Sequence, residues 1–273
     1  MTTRDAVSCN DFIAVARTVR RVCELPAVPT LDWCERVAVA LTSLVEASIV
    51  RVMLVNHSET GATVEADDSG AADGRMGNEP SRIRAGAAGT RAPLPWWLEQ
   101  ESDTPLRPRA GIFAEMSADP ESPPQPDRWW RDRGIAPRII GLAPIPPSRF
   151  GRNLAVEIGF ESGTPVGDIR RARALTAALG ELSRRALIAF GPEPVGTANR
   201  ITDRELEVLD MLALGHSVRE IADAMGRSPH TVHDHVKSLH RKLRVSSRGE
   251  LIGRLLGHSG ILGELGQLDG AAE

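Results

Sequence analysis

The sequence predicts an α+β amino-terminal domain joined by a short linker to an all-α domain of four helices, and three observations carry that expectation. All five Trp and all five Phe lie at or before Phe190, and Tyr is absent, so the two ends of the chain must build different cores. The stretch FGPEPVGTANR, residues 190–200, holds two prolines and two glycines, a composition that supports neither helix nor strand. Beyond it, Thr202, Ser217 and Ser228 each stand directly before an apolar pattern of helical period, where a side-chain oxygen can cap a helix. The expected division is a domain over residues 1–190, a linker over 191–200, a helical domain over 201–257 and a flexible tail over 258–273 with five glycines from Gly257 on.

Bulk composition mainly excludes. A chain of 273 residues accommodates two domains of ordinary size. With 33 Lys and Arg against 36 Asp and Glu, the net charge of -3 gives no whole-chain attraction to a polyanion, so any nucleic-acid surface must be local. The opening MTTRDAVSCN lacks the basic-then-apolar order of a secretory signal, and Glu46 and Arg51 interrupt the most apolar stretch, residues 37–55. A soluble, cytoplasmic protein without membrane association is expected. Cys9, Cys23 and Cys34 are odd in number and show no C-x-x-C spacing, which fits reduced thiols acting as small apolar residues rather than disulfides or a zinc site.

Residues 10–23 read as a helix with Phe12, Val15, Ala16, Val19 and Val22 on one face, and residues 31–47 as a second, capped by Thr30, with Val37, Leu41, Leu44 and Val45 inside. A β-rich run follows at 49–55, and further strands are expected at 62–66, 111–116, 138–143 and 153–160. Glycine-rich sequence over 61–89 and twelve prolines from Pro93 to Pro147 make the middle loop-heavy, and loops of this kind often line binding sites. Two tryptophan pairs lie there, Trp96 with Trp97 and Trp129 with Trp130, and either stack on a flat ligand or pack as core or lid. A last helix, 165–190, repeats Ala172, Leu175, Leu179, Leu182, Ala186 and Ala189 at alternating steps of three and four. Leu175 and Leu182 on that seam either join two protomers or pack the helix on its own sheet. Helix, helix, strand, a loop-rich middle, two late strands and a final helix together resemble a GAF sensor domain in element order.

In the helical domain, Thr202 with Glu205 three residues on has the spacing of a capping box. Leu206, Leu209, Leu212 and Ala213 follow at helical spacing, and Gly215 can take the left-handed conformation that ends a helix. Ser217 caps a short second helix with Val218, Ile221, Ala222 and Met225 on one face before Gly226 breaks it. Ser228 is the third cap, and Pro229 occupies the first helical position, where its missing N–H costs nothing. This third helix should run to about Arg244, with Val232, Val236, Leu239 and Leu243 on its buried stripe. On the opposite side lie His230, Asp234, Lys237, Ser238, Arg241 and Arg244. Between Ser228 and Arg248 five Lys or Arg stand against one Asp, the local positive charge that the whole chain lacks. Such a helix suits the major groove of DNA, where Lys donates to guanine and Asp accepts from the cytosine amino group.

The segments Thr202-Asp-Arg-Glu205, Glu220-Ile-Ala, Ser228-Pro-His-Thr231-Val-His-Asp-His235, Lys242-Leu and Ser246-Ser-Arg248-Gly-Glu-Leu251 stand at spacings that resemble the LuxR-type helix-turn-helix. The resemblance implies four helices, of which the third enters the major groove of double-stranded DNA and the fourth, residues 248–256 here, helps to dimerise the module. It implies His233, Asp234 and Lys237 as base-contacting residues, and Thr231, His235 and Lys242 as holding phosphates or the packing of the helix. Ser228, His230 and Arg241 join the latter as candidates for backbone contact or helix positioning. Leu251 and Leu255 join Leu175 and Leu182 as dimerisation candidates. The helical wheel agrees for Asp234 and Lys237, places His233 nearer the flank and sets His235 beside the core stripe. Arg244 stands where members of the family commonly carry Gly.

The expected function is a homodimeric, sequence-specific transcription regulator whose amino-terminal domain senses a small-molecule signal or a partner. The alternative is an amino-terminal module that docks on another regulator or on RNA polymerase and binds no small molecule. Related proteins with a phosphate-accepting receiver domain open on a strand ending in acidic residues, whereas this chain opens on helices and its first strand run ends in Asn56. Related proteins that bind acyl-homoserine lactones use a conserved Tyr among their pocket residues, and this chain has none. His230, His233 and His235 point in different directions around a helix, which argues against zinc. Neither G-x-x-x-x-G-K-[ST] nor G-x-S-x-G occurs, no nucleophile and base converge, and neither an enzyme nor a cofactor is expected.

Overall fold

The computed structural model describes residues 9–42, 48–58, 61–71, 112–115, 136–145, 151–160 and 179–257. The tryptophan pairs, Leu44, Leu175, the first part of the last helix expected before the linker, and the tail from residue 258 lie outside them. The chain divides into two compact units, one comprising Met1–Leu25 and Cys34–Arg185, the other Pro26–Trp33 and Ala186–Glu273. The boundary falls a few residues before the expected one, and the second unit takes in an eight-residue segment that lies within the expected amino-terminal domain.

In the first unit, α1 (Cys9–Cys23) turns Thr18 and Val22 inward. Thr18 can be buried because its hydroxyl donates to the Ala14 carbonyl one turn back. Phe12, expected on the inward face, is 73% exposed. Helix α2 (Trp33–Thr42) buries Trp33, Cys34, Val37, Ala38 and Leu41. It starts at Trp33 rather than at residue 31, because Thr30 does not cap it: Thr30 is drawn into a parallel bridge with Ile201.

All five expected strands are present: β1 (Ser48–Ser58), β2 (Gly61–Ala71), β3 (Ile112–Glu115), β4 (Ala136–Pro144) and β5 (Arg152–Phe160). They form one sheet in the order β2-β1-β5-β4-β3, antiparallel throughout. Alternation along β1 and β5 puts Val50, Val52, Leu54, Leu154, Val156 and Ile158 on one face, all buried. On that face Gly141 of β4 leaves room for Leu179, the first residue of α3 (Leu179–Phe190): a Cβ at Gly141 would lie 2.8 Å from Leu179 Cδ1.

The opposite face carries charge. Arg51 of β1, 1% exposed, donates through Nε and Nη2 to both carboxylate oxygens of Asp67 at 2.9 and 2.6 Å. Its Nη1 reaches Glu157 of β5 at 3.4 Å, in register across the sheet. At the strand ends of the apolar face, in register with Asn56, buried Arg152 forks onto Glu65 at 3.0 and 2.9 Å. Burying charges this way costs desolvation that the pairing offsets only with good geometry. The bidentate Arg51–Asp67 contact has that geometry.

Past α3, the linker contains a single 3-10 turn, Thr197–Asn199, and leads into four helices: α4 (Asp203–Ala213), α5 (Val218–Met225), α6 (Pro229–Leu243) and α7 (Arg248–Leu255). Their shared core is Leu206, Val208, Leu209 and Leu212 of α4, Ile221 and Ala222 of α5, Val232, Leu239 and Leu243 of α6, and Leu251 of α7. Val236 is partly buried against it, so the stripe expected on α6 is the one that packs. Among the described residues no helix is long and apolar enough to cross a membrane.

Candidate nucleic-acid interface

Each of the first three helices of the carboxy-terminal module begins where its cap predicts. Thr202 Oγ1 accepts from the Glu205 N–H at 3.3 Å while the Glu205 carboxylate accepts from the Thr202 N–H at 2.8 Å, closing a capping box. Ser217 and Glu220 close a second in the same way. The Ser217 N–H holds the Glu220 carboxyl below the usual carboxylate range. Gly226 ends α5 at φ 61, and two residues on Ser228 accepts from the Thr231 N–H at 3.1 Å with Pro229 in the first turn of α6. The Ser228 hydroxyl also lies 2.9 Å from that of Thr231.

The end of α6 is unusual. Arg244 takes the left-handed conformation, φ 53 and ψ 48, and is the C-cap. It is the non-glycine residue with positive φ among those described, at the position where Gly would be unstrained. His240 Nδ1 lies 2.9 Å from the Val245 carbonyl just past the turn. Arg248, at the start of α7, donates to the carbonyls of Leu212 and His216 at 2.7 and 3.0 Å, a cation on the open end of α4.

Between α4 and α6 sits Glu205. Besides its capping bonds, it accepts from Ser238 at 2.6 Å and from Lys242 Nζ at 2.7 Å, and Lys242 also donates to the Arg200 carbonyl at 2.8 Å. Burial alone would raise the pKa of this carboxyl, but the hydrogen bonds from Lys242, Ser238 and Thr202 outweigh it and hold the group below its ordinary value. Lys242 is an internal tie, its side chain 9% exposed, which agrees with the packing alternative of its expected role, and Ser238, expected on the side opposite the core stripe, turns to Glu205. The wheel gave their angle but not the reach of Glu205 from α4, whose capping role alone was legible.

The remaining polar side chains of α6 are outward. His230, Thr231, His233, Asp234, Lys237 and Arg241 are exposed, while His235 is half-buried beside the core stripe. Asp234 stands between His230 at 3.7 Å and Lys237 at 3.9 Å, which holds the carboxylate and the ammonium side by side on one surface. His233 is exposed with them. Among the described residues no His, Cys, Asp and Glu group of metal-site form occurs. Of the dimerisation candidates, Leu182 and Leu251 are buried within the chain and Leu255 is partly buried against the helical core; the apolar side chain left out on the end of α7 is Leu256, 62% exposed.

Residues 199–255 match the family described as bacterial regulatory proteins, luxR family. The chain is 45% identical over 60 residues to the transcriptional regulatory protein UhpA of Escherichia coli strain K12, a match covering 22% of this chain and 31% of that protein. The UhpA of Salmonella typhimurium matches with the same identity and coverage. The chain thus spans about a third of the length of these relatives. It is also similar to the crystal structure of Escherichia coli SdiA, at 16% identity and a TM-score of 0.38 over 89% of this chain and 95% of that one.

Proposed function

With residues 199–255 forming a luxR-family helix-turn-helix domain, we propose that the chain is a cytoplasmic, sequence-specific regulator of transcription that reads double-stranded DNA with α6. The observation that carries this reading is the surface of α6 itself. Asp234 and Lys237 project together from a helix that is capped at Ser228, packed along Val232, Leu239 and Leu243, and tied to α4 through Glu205. A rigid helix with an acceptor and a donor fixed side by side is what base readout requires. His233 belongs to the same surface as a flanking base contact, and His230, Thr231 and Arg241 are placed for phosphates. His235 has the role of helix packing.

The regulator works as a homodimer joined in part through α7, where Leu255 and Leu256 extend the apolar surface past the buried Leu251. The amino-terminal domain is a GAF-like sensor. Its order of two helices, a strand pair, late strands and a helix supports this. In the second reading that domain docks on RNA polymerase or another regulator. A thermal-shift screen of metabolites separates the two, since a ligand at 100 times its Kd adds about 2.7 kcal/mol to stability. The DNA reading is tested by selecting duplexes that bind the chain and measuring Asp234→Ala and Lys237→Ala on the selected site. Each is expected to lose about 1 to 3 kcal/mol of discrimination at one base position.

A further inference from the structure

Residues Pro26–Trp33 connect α1 to α2 in sequence, yet they fold with the helix-turn-helix unit. Three sets of contacts hold them. The Ile201 N–H donates to the Pro29 carbonyl at 2.8 Å and the Leu31 N–H to the Ile201 carbonyl at 3.0 Å, so Thr30 and Ile201 pair as a short parallel bridge. Val28, 1% exposed, completes the same core as Ile201, Leu206, Leu209 and Leu251. Trp33, fully buried, sets its ring against Phe190 edge to face, with centroids 5.4 Å apart and planes at 88°. The Arg200 guanidinium lies over that same Phe190 ring at 5.6 Å.

The residues that receive this segment are those to which α6 is tied. Ile201 holds Pro29 and Leu31, and the carbonyl of its neighbour Arg200 holds Lys242 of α6. A continuous line of hydrogen bonds and covalent links therefore runs from the segment to the recognition helix. The docking is incomplete, however. Thr30 Oγ1 and Trp33 Nε1 are buried with no hydrogen-bond partner among the described residues. Buried polar atoms left unmatched oppose the docked state. A single bridge with two such atoms belongs to the part of a structure that opens locally.

We propose that Pro26–Trp33 is a positioning element of the DNA reader, a strand that seats residues 200 and 201 and, through Lys242, sets α6. Because it is chained to α1 at one end and α2 at the other, changes in the amino-terminal unit reach DNA binding through it. The proposal rests on the DNA-binding reading above. Coupling of this kind is reciprocal, so DNA bound to α6 must also steady the segment.

Amide hydrogen exchange on the full chain tests this, read at Leu31 and Ile201 with and without a saturating selected duplex. The duplex is expected to slow both amides about threefold or more, although neither lies on the exposed face of α6. In the free protein, Val28→Ala should speed their exchange about tenfold and weaken duplex affinity while leaving base preference unchanged; Val28→Ile, which keeps a β-branched side chain there, should stay much nearer the wild type in both. Unchanged exchange at Leu209 and Leu239, inside the helical core, identifies the unit that carries Val28→Ala as folded. Equal exchange with and without duplex overturns the proposal, a measurement that needs no variant. Faster exchange in Val28→Ala with undiminished affinity overturns it too, since the segment would then pack without positioning. A wild-type chain that binds no selected duplex removes the underlying DNA reading instead, a result distinct from either.

Discussion

Glu205 links two helices with one carboxylate, and its partners define what α6 can do. Its side chain and that of Lys242 are 6% and 9% exposed, so deleting Lys242 leaves a nearly buried carboxylate without its cation. Lys242→Ala is therefore expected to cost about 3 kcal/mol of stability in the helical domain, as read by thermal or urea unfolding. If Lys242 served phosphate instead, stability would hold and only the salt dependence of DNA binding would fall. The same carboxyl gives a pH dependence. Its folded pKa lies below the ordinary value, so its contribution is complete above about pH 4.3 and is lost as pH falls through the lower folded value. Glu205→Gln should flatten unfolding midpoints in that acid range. Of this small network the sequence disclosed the capping box but not Ser238 or Lys242, because helical angle says which side a residue leaves from and not how far a partner reaches.

At the scale of elements, the starts of α4, α5 and α6 were legible because Thr202, Ser217 and Ser228 act through bonds three residues away. The start of α2 was not, since Thr30 is claimed by Ile201, a residue 171 positions further along the chain by number and invisible to any local pattern. Phe12 likewise keeps the helical period without being buried. The five strands were found from β-branched runs, but their order, with β5 between β1 and β4, comes from pairing alone. Arg244 at the end of α6 offers a direct test of local strain. Its left-handed backbone costs an ordinary L-residue about 1 to 2 kcal/mol. Glycine removes most of that but adds chain entropy to the unfolded state. Arg244→Gly is expected to stabilise the helical domain by about 1 kcal/mol in denaturant titration; a loss of stability would mean that the arginine side chain contributes more packing than its backbone costs.

For the whole molecule, the proposed function needs an amino-terminal unit that senses a signal or partner and a helix, α6, that reads DNA. Two copies related by a two-fold axis would present two α6 helices, and their site should be an inverted repeat with half-sites about one helical turn apart. Footprinting a selected site checks this, and a single asymmetric half-site would argue for a monomer. The two-unit plan was legible from the aromatic distribution and the Pro/Gly linker. The discontinuity at Pro26–Trp33 was not, because nothing in Val28 or Thr30 marks which core they join.

The most direct test of the central claim is the affinity of the full chain for its best selected duplex and for single-base variants of it, by fluorescence anisotropy at fixed salt, with wild type beside Lys237→Ala. The account predicts tight binding by the wild type, about 1 to 3 kcal/mol lost at each mismatched position, and relaxed preference at one position in Lys237→Ala. Identical affinity and base preference in the two proteins would contradict the placement of α6 in the groove.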